Sequence, residues 1–73
     1  MNIFTKHAEN KFDILNKYKV YFTREQIEEV ILSPDKEGKT ENYSYAEKEG
    51  IKVIFTKTNK QIKILTFYPI KNK

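Results

Sequence analysis

The chain has 73 residues, a formal net charge of +4 and no cysteine. A chain of this length has room for one hydrophobic core, so we expect a single domain over residues 1–73. The lack of cysteine excludes disulfides and thiolate metal sites and favours a reducing compartment, so we expect a cytoplasmic protein. No apolar run approaches the roughly 20 residues that cross a bilayer, and the N-terminus lacks a signal-peptide pattern, so we expect no membrane association.

The N-terminal segment predicts a first helix. Residues 2–4 can form a short lead-in strand, and Thr5 offers a side-chain oxygen as N-cap for a helix over about residues 6–16. Apolar residues then recur at positions i, i+4 and i+7, which is the spacing of one packed helix face. These residues are Ala8, Phe12 and Leu15.

The second helix has the clearest local signal. Thr23 and Gln26 form a capping box, in which each side chain accepts a hydrogen bond from a free backbone amide of the other residue. Phe22 before the cap and Ile27 inside the helix form the matching hydrophobic staple. Pro34 then predicts the end of the helix.

The rest of the chain predicts a sheet. Residues 35–40, which include Gly38, predict a turn, and residues 42–48, 51–57 and 61–68 predict three strands joined by short turns. Short turns force neighbouring strands to run antiparallel. We therefore predict an α+β fold in which two N-terminal helices pack on a three-stranded antiparallel meander whose central strand is residues 51–57.

Alternation predicts which strand residues face the helices. In the central strand, Ile51, Val53 and Phe55 share the predicted inner face. If side chains of the last predicted strand alternate regularly between its two sides, both sides are largely apolar. One side then carries Ile62, Ile64, Thr66 and Tyr68, and the other carries Lys63, Leu65 and Phe67. Either a second copy or a larger partner covers the outer side, or an apolar patch is exposed.

Charge is unevenly distributed along the chain. Residues 51–73 contain six lysines and no acidic residue, whereas residues 24–50 contain four basic and eight acidic residues. A segment with charge of one sign attracts nucleic acid or other anionic surfaces. Lysines on exposed strands also serve for solubility and edge protection, which is the alternative interpretation.

Tyrosines are interleaved with these lysines on the predicted strands. Aromatic rings on a sheet can stack unpaired bases while lysines hold the backbone phosphates. The tyrosines are Tyr43, Tyr45 and Tyr68, and the residues predicted to contact nucleic acid are Tyr45, Lys6, Lys52, Lys57 and Lys63. Since tyrosine also suits strands for packing alone, a purely structural role is the alternative.

His7 is the only histidine and lies in the first turn of the first helix. Imidazole can act as a general acid or base near neutral pH, although a lone histidine at a helix start also occurs as an ordinary surface or packing residue. No recognisable ligand spacing or glycine-rich phosphate loop is present, so we expect neither a metal nor a cofactor.

Four segments carry a resemblance to a known family: residues 6–12, 23–34, 51–55 and 64–69. Their order and spacing resemble domain-of-unknown-function family 4258, a group of small prokaryotic and phage-borne proteins. Residues that fit the motif positions of that family are His7, Lys11, Pro34, Thr66, Tyr68 and Pro69. The family is similar in plan to the BrnT and RelE/ParE toxins, whose active members cleave RNA without a metal.

The resemblance implies a ribonuclease toxin with an antitoxin partner, or a relative that has lost the activity. In an active member, a ribose 2′-OH attacks the adjacent phosphate. His7 or Tyr68 would transfer protons, Lys11 and Lys52 would stabilise charge, and Thr66 would hydrogen-bond a phosphate oxygen. We therefore expect the catalytic residues His7, Lys11, Thr66 and Tyr68 to converge where the first helix begins and the last strand ends.

Arginine content departs from the family pattern. Lys11 stands where the family usually has arginine, and Arg24 is the only arginine in the chain. A lysine cannot clamp a phosphate with two parallel hydrogen bonds as arginine does. The alternative function is therefore a module that binds RNA or a protein without catalysis, as an antitoxin partner or a phage or viral regulator would.

Overall fold

The computed structural model describes residues 2–70, in which two helices pack on one face of a five-stranded sheet. The elements are β1 Asn2–Phe4, α1 Lys6–Lys17, α2 Arg24–Leu32, β2 Lys36–Lys39, β3 Ser44–Lys48, β4 Ile51–Lys57 and β5 Ile62–Pro69. Their order across the sheet is β1-β5-β4-β3-β2, with β1 parallel to β5 and all other neighbours antiparallel.

The α+β class and the two N-terminal helices are confirmed. The prediction of a three-stranded meander was wrong in strand number, because the sheet has five strands. β1 is the short lead-in strand that residues 2–4 were predicted to allow, whereas β2 was not predicted. β2 occupies most of the segment that was predicted as a turn. Its sequence of two lysines, a glutamate and a glycine has low strand propensity, so its structure depends on pairing with β3 along its whole length.

Both helices begin as their capping residues predict. The Thr5 hydroxyl oxygen accepts a hydrogen bond from the Ala8 amide at 3.1 Å. At α2, the Gln26 amide donates to the Thr23 hydroxyl oxygen at 3.1 Å and the Thr23 amide donates to Gln26 Oε1 at 2.8 Å, which is the predicted capping box. These bonds satisfy amides that have no partner inside the helix.

Helix α1 ends in a Schellman motif. The Val20 amide donates to the Leu15 carbonyl and the Lys19 amide donates to the Asn16 carbonyl, at 2.9 and 3.0 Å. This geometry places Lys19 in the left-handed region, with φ of 63°. Glycine is the usual residue at such a position because a Cβ is strained there.

A β-bulge in β5 decides which residues of this strand face the helices. Ile54 pairs with Thr66 and Phe55 pairs with Ile64, so Leu65 is an extra residue on β5. The regular alternation predicted for the last strand was therefore wrong. The extra residue puts both Ile64 and Phe67, each fully buried, on the helix side.

The core lies between the helices and the inner face of the sheet. Its buried residues are Ala8, Leu15, Ile27, Val30, Ala46, Ile51, Val53, Phe55, Ile64 and Phe67. Aromatic contacts join the layers, since the Phe12 ring of α1 lies 4.6 Å from the Phe67 ring and 5.7 Å from the Phe4 ring, centroid to centroid. No helix within residues 2–70 is long and apolar enough to cross a membrane.

Candidate functional site

The sheet face opposite the helices, called the open face below, collects most of the predicted strand residues. Side chains between the buried residues of β4 point to this face because strand side chains alternate. Cross-strand pairing then defines two rows of neighbours on it. One row is Lys36, Glu47, Lys52 and Tyr68, and the other is Gly38, Tyr45, Ile54 and Thr66.

Tyr45 is packed over a glycine on the open face. A Cβ placed on Gly38 would lie 2.6 Å from Cε2 of Tyr45 and closer still to its Cζ and hydroxyl oxygen. The Tyr45 ring therefore fills the space that any other side chain at position 38 would need. Gly38 has no positive φ, so the close approach of this ring is the reason that glycine is needed there.

Lys52 lies on the same ring. Its Nζ is 4.6 Å from the Tyr45 ring centroid, a cation–π geometry, and 3.7 Å from Oε2 of Glu47. The register also pairs Lys52 with Tyr68 on the next strand. The Lys52 ammonium thus contacts the Tyr45 ring on one neighbouring strand, and Tyr68 is the register partner of Lys52 on the other.

The centre of the open face is apolar and its surroundings are polar. Ile54 is half-buried although it lies on the side away from the helices, and its two partners Tyr45 and Thr66 are half-buried as well. At one end of the face, Lys63 pairs with Thr56 on β4 and with Ile3 on β1. This combination of rings, an apolar centre and ammonium groups suits bases and phosphates.

The structure divides the predicted nucleic-acid contacts into two groups. Tyr45, Lys52 and Lys63 lie together on the open face. Lys57 pairs with Ile62 and so belongs to the helix side, at the exposed end of β4. Lys6 is exposed in the first turn of α1, a helix that packs on the other face of the sheet.

The predicted catalytic residues come from two elements. Thr66 and Tyr68 lie on the open face, while His7 and Lys11 lie one turn apart on α1, which packs on the other face. The connection before α1 brings the two elements close. The Thr5 amide donates to the Ile64 carbonyl at 3.0 Å, and the Thr5 hydroxyl donates to the Leu65 carbonyl at 3.3 Å. The start of α1 therefore adjoins the β5 backbone at Ile64 and Leu65. The side chains of Thr66 and Tyr68 lie on the open face, so the four predicted catalytic residues do not share one face of the sheet.

The only arginine stabilises the helix layer. The guanidinium carbon of Arg24 lies 4.8 Å from the Phe4 ring centroid and 5.8 Å from that of Phe12. Its Nη2 lies 3.4 Å from Oε2 of Glu9 on α1. Arg24 thereby links α2 with α1 and β1, on the side away from the open face, so this guanidinium is not part of the open face.

Sequence reasoning missed Gly38 and Lys36 as members of this face. Gly38 and Lys36 were placed in a turn, and no local pattern marks β2 as a strand. Ile54, by contrast, lies on the side that alternation in the central strand predicts, opposite Ile51, Val53 and Phe55. Gly38 and Lys36 lie on the open face because β2 pairs with β3, a long-range contact that the local sequence does not indicate.

Within residues 2–70, no group of three or more histidine, cysteine, aspartate or glutamate side chains could hold a metal ion. Comparison with known proteins gives no assignment either. No family model, no curated protein and no solved structure matches this chain.

Proposed function

We propose that this protein binds single-stranded RNA on its open face, in the cytoplasm. Tyr45 and Tyr68 stack unpaired bases, and Lys52 and Lys63 contact phosphates. The observation that carries the proposal is the Tyr45 ring held over Gly38 with the Lys52 ammonium beside it. This is an aromatic platform with a phosphate-binding group attached.

Stacking energies favour a base over the lysine on this platform. An exposed cation–π contact contributes about 0.5–1 kcal/mol, whereas stacking a base on an aromatic ring contributes about 1–3 kcal/mol. An unpaired base can therefore displace Lys52 from the Tyr45 ring. The released ammonium, which also lies 3.7 Å from Oε2 of Glu47, then exchanges this carboxylate for a phosphate oxygen of the same nucleotide chain.

The two tyrosines are spaced for separate bases. Tyr45 is on β3 and Tyr68 is on β5, with β4 between them, and their positions along the strands differ by two residues. Strand spacings of about 4.8 Å and rises of about 3.3 Å per residue then give roughly 12 Å between their Cα atoms. Rings at this distance cannot stack on each other, so each can accept its own base. A duplex, whose bases are already stacked, cannot use them.

Binding of a labelled single-stranded RNA, followed by fluorescence anisotropy, tests the proposal. Tyr45→Leu should weaken binding by roughly tenfold, the equivalent of about 1.4 kcal/mol of stacking, while Tyr45→Phe should retain it. Lys63→Gln should weaken binding and reduce its salt dependence, whereas Lys60→Gln, the same charge change in the exposed β4–β5 turn, should do so less. Equal effects of the two lysine variants, or preference for duplex RNA, would refute a site on the open face.

A second proposed function is metal-independent cleavage of the bound RNA. Support comes from the family resemblance and from the hydrogen bonds of Thr5, which bring the start of α1 to the β5 backbone at Ile64 and Leu65. In this scheme a base removes the proton of the ribose 2′-OH, the 2′-oxygen attacks the adjacent phosphorus, and an acid protonates the departing 5′-oxygen. The family resemblance gives these roles to His7 and Tyr68, with Lys11 and Lys52 stabilising the phosphoryl charge. Because His7 and Lys11 lie on the helix side and Tyr68 and Lys52 on the open face, this scheme requires an RNA that reaches both sides of the sheet.

Incubation of RNA with the protein in the presence of a chelator tests cleavage. His7→Ala should abolish it, and Asn10→Ala, another exposed position of α1, should leave it unchanged. If the purified protein binds RNA but both variants and the parent leave it intact, the protein is a binding module. An antitoxin protein or a second copy that covers the open face would inhibit RNA binding in either case.

A further inference from the structure

A groove on the helix side lies between α2 and the adjoining ends of β4 and β5. It encloses about 500 Å³. Its apolar lining is formed by Val20, Phe22, Val30, Ile51 and Pro69. Val30 and Ile51 are core residues with 2% and 7% of their surface exposed, so the groove reaches down to the hydrophobic core. It is separate from the open face, which lies on the other side of the sheet.

The rim of this groove is acidic. Glu25 and Glu29 stand on α2, and Glu49 stands in the β3–β4 turn. Only Glu29 is neutralised, by Lys48, whose Nζ lies 2.9 Å from Oε2 of Glu29. Within residues 2–70, neither Glu25 nor Glu49 forms an ion pair. The groove therefore carries more negative than positive charge.

The pKa of Lys48 reflects the same excess of negative charge around the groove. The pKa of Lys48 is raised above its ordinary value of 10.5 by its hydrogen bond to Glu29, and the nearby charges of Glu29, Glu49 and Asp35 raise it further. Among the described residues that line the groove, the three carboxylates thus outweigh the ammonium of Lys48. An anionic ligand is disfavoured there, whereas a cationic one is attracted.

We infer that this groove binds a cationic, partly apolar segment of a protein partner. An apolar side chain of the segment lies between Phe22 and Ile51, and flanking lysines or arginines pair with Glu25 and Glu49. Charge complementarity selects this occupant, because the apolar lining alone would accept any hydrophobic segment. The inference does not depend on RNA binding, which uses the opposite face of the sheet.

Backbone amide NMR of the full chain, titrated with a short synthetic amphipathic peptide of leucine and lysine, tests this inference. The amides of Phe22, Gly50 and Ile51 should shift saturably. A peptide in which glutamate replaces lysine should produce no such shifts. The Tyr45→Leu variant of the open face should bind the lysine peptide as the parent does, so that a failure of the RNA proposal leaves this result unaffected.

A charge-reversed pair, Glu25→Lys with Glu49→Lys, should weaken peptide binding at least tenfold. The matched control is Glu37→Lys with Glu41→Lys, which makes the same change in net charge at exposed positions outside the groove. It should weaken binding less than threefold. The neutral pair Glu25→Gln with Glu49→Gln should weaken peptide binding by an intermediate amount. It tests the same charges if the charge-reversed pair fails to fold.

Three outcomes would overturn the inference. The control pair could weaken binding as much as the groove pair, which would show attraction by net charge alone. The shifts could fall outside the groove. The groove amides could also move on dilution of the protein alone, together with a concentration-dependent mass, which would show that a second copy occupies the groove.

Discussion

Replacing Gly38 with alanine should test the packing of the tyrosine platform directly. The added Cβ would lie 2.6 Å from Cε2 of Tyr45, so the ring must move by about 1 Å to regain ordinary van der Waals distance. Overpacking costs about 1–3 kcal/mol in a filled core. Tyr45 is only half-buried and can rotate outward, so we expect a loss near the lower end, about 1 kcal/mol.

The sign of the effect should reverse when the ring is absent. In a Tyr45→Ala background the alanine at position 38 meets no obstacle. It then reduces the conformational freedom of the unfolded chain, which stabilises a protein by about 0.4–1 kcal/mol. The two substitutions should therefore be coupled by about 1.5–2 kcal/mol, well above the 0.3–0.5 kcal/mol within which independent sites add.

Urea unfolding of four proteins measures this coupling: the parent, Gly38→Ala, Tyr45→Ala and the double variant. For a chain of this size, 1 kcal/mol corresponds to roughly 4–8 °C in Tm, so thermal unfolding provides a second readout. If Gly38→Ala changes the free energy of unfolding equally in both backgrounds, the ring does not pack on Gly38. Gly38→Ala should also weaken RNA binding, because Tyr45 is displaced.

Three further predictions concern stability. Lys19→Gly should raise the free energy of unfolding, measured by urea titration, by about 0.5–1 kcal/mol, because the backbone at this position is left-handed. Lys19→Ala removes the charge but keeps the backbone strain, so it should not raise this free energy. Glu49→Asn should raise Tm. The turn of Glu49 and Gly50 has φ of 52° and 82°, which is the type I′ pattern that favours Asn-Gly. A lower Tm would argue against that turn geometry. A raised pKa of Lys48 means that the stability from its bond to Glu29 is fully present below the unfolded pKa and is lost as pH rises through the folded value. Glu29→Gln should therefore flatten the alkaline loss of stability above a pH of about 10.5, and an unchanged profile would contradict the assignment.

The helices and the central strands were predictable because their signals are local. Thr5, Thr23 and Gln26 mark helix starts by hydrogen bonds that span three residues of the chain. The predicted strand over residues 51–57 matches β4, since branched and aromatic residues there alternate over a long run. The types of residue at the site, tyrosine and lysine on strands, were also visible in the sequence.

The positions of those residues on the two faces depended on tertiary structure. β2 has low strand propensity, and it forms a strand because it pairs with β3 along its whole length. The extra residue Leu65 in β5 shifts every later side chain to the other face, and nothing near it in the sequence marks the bulge. A one-residue change in register reverses the faces because strand side chains alternate with a period of two. The sequence by itself therefore determined which chemical groups are available. Long-range strand pairing decided that Tyr45, Lys52, Thr66 and Tyr68 share the open face. His7 and Lys11 lie on α1, which packs on the opposite face of the sheet.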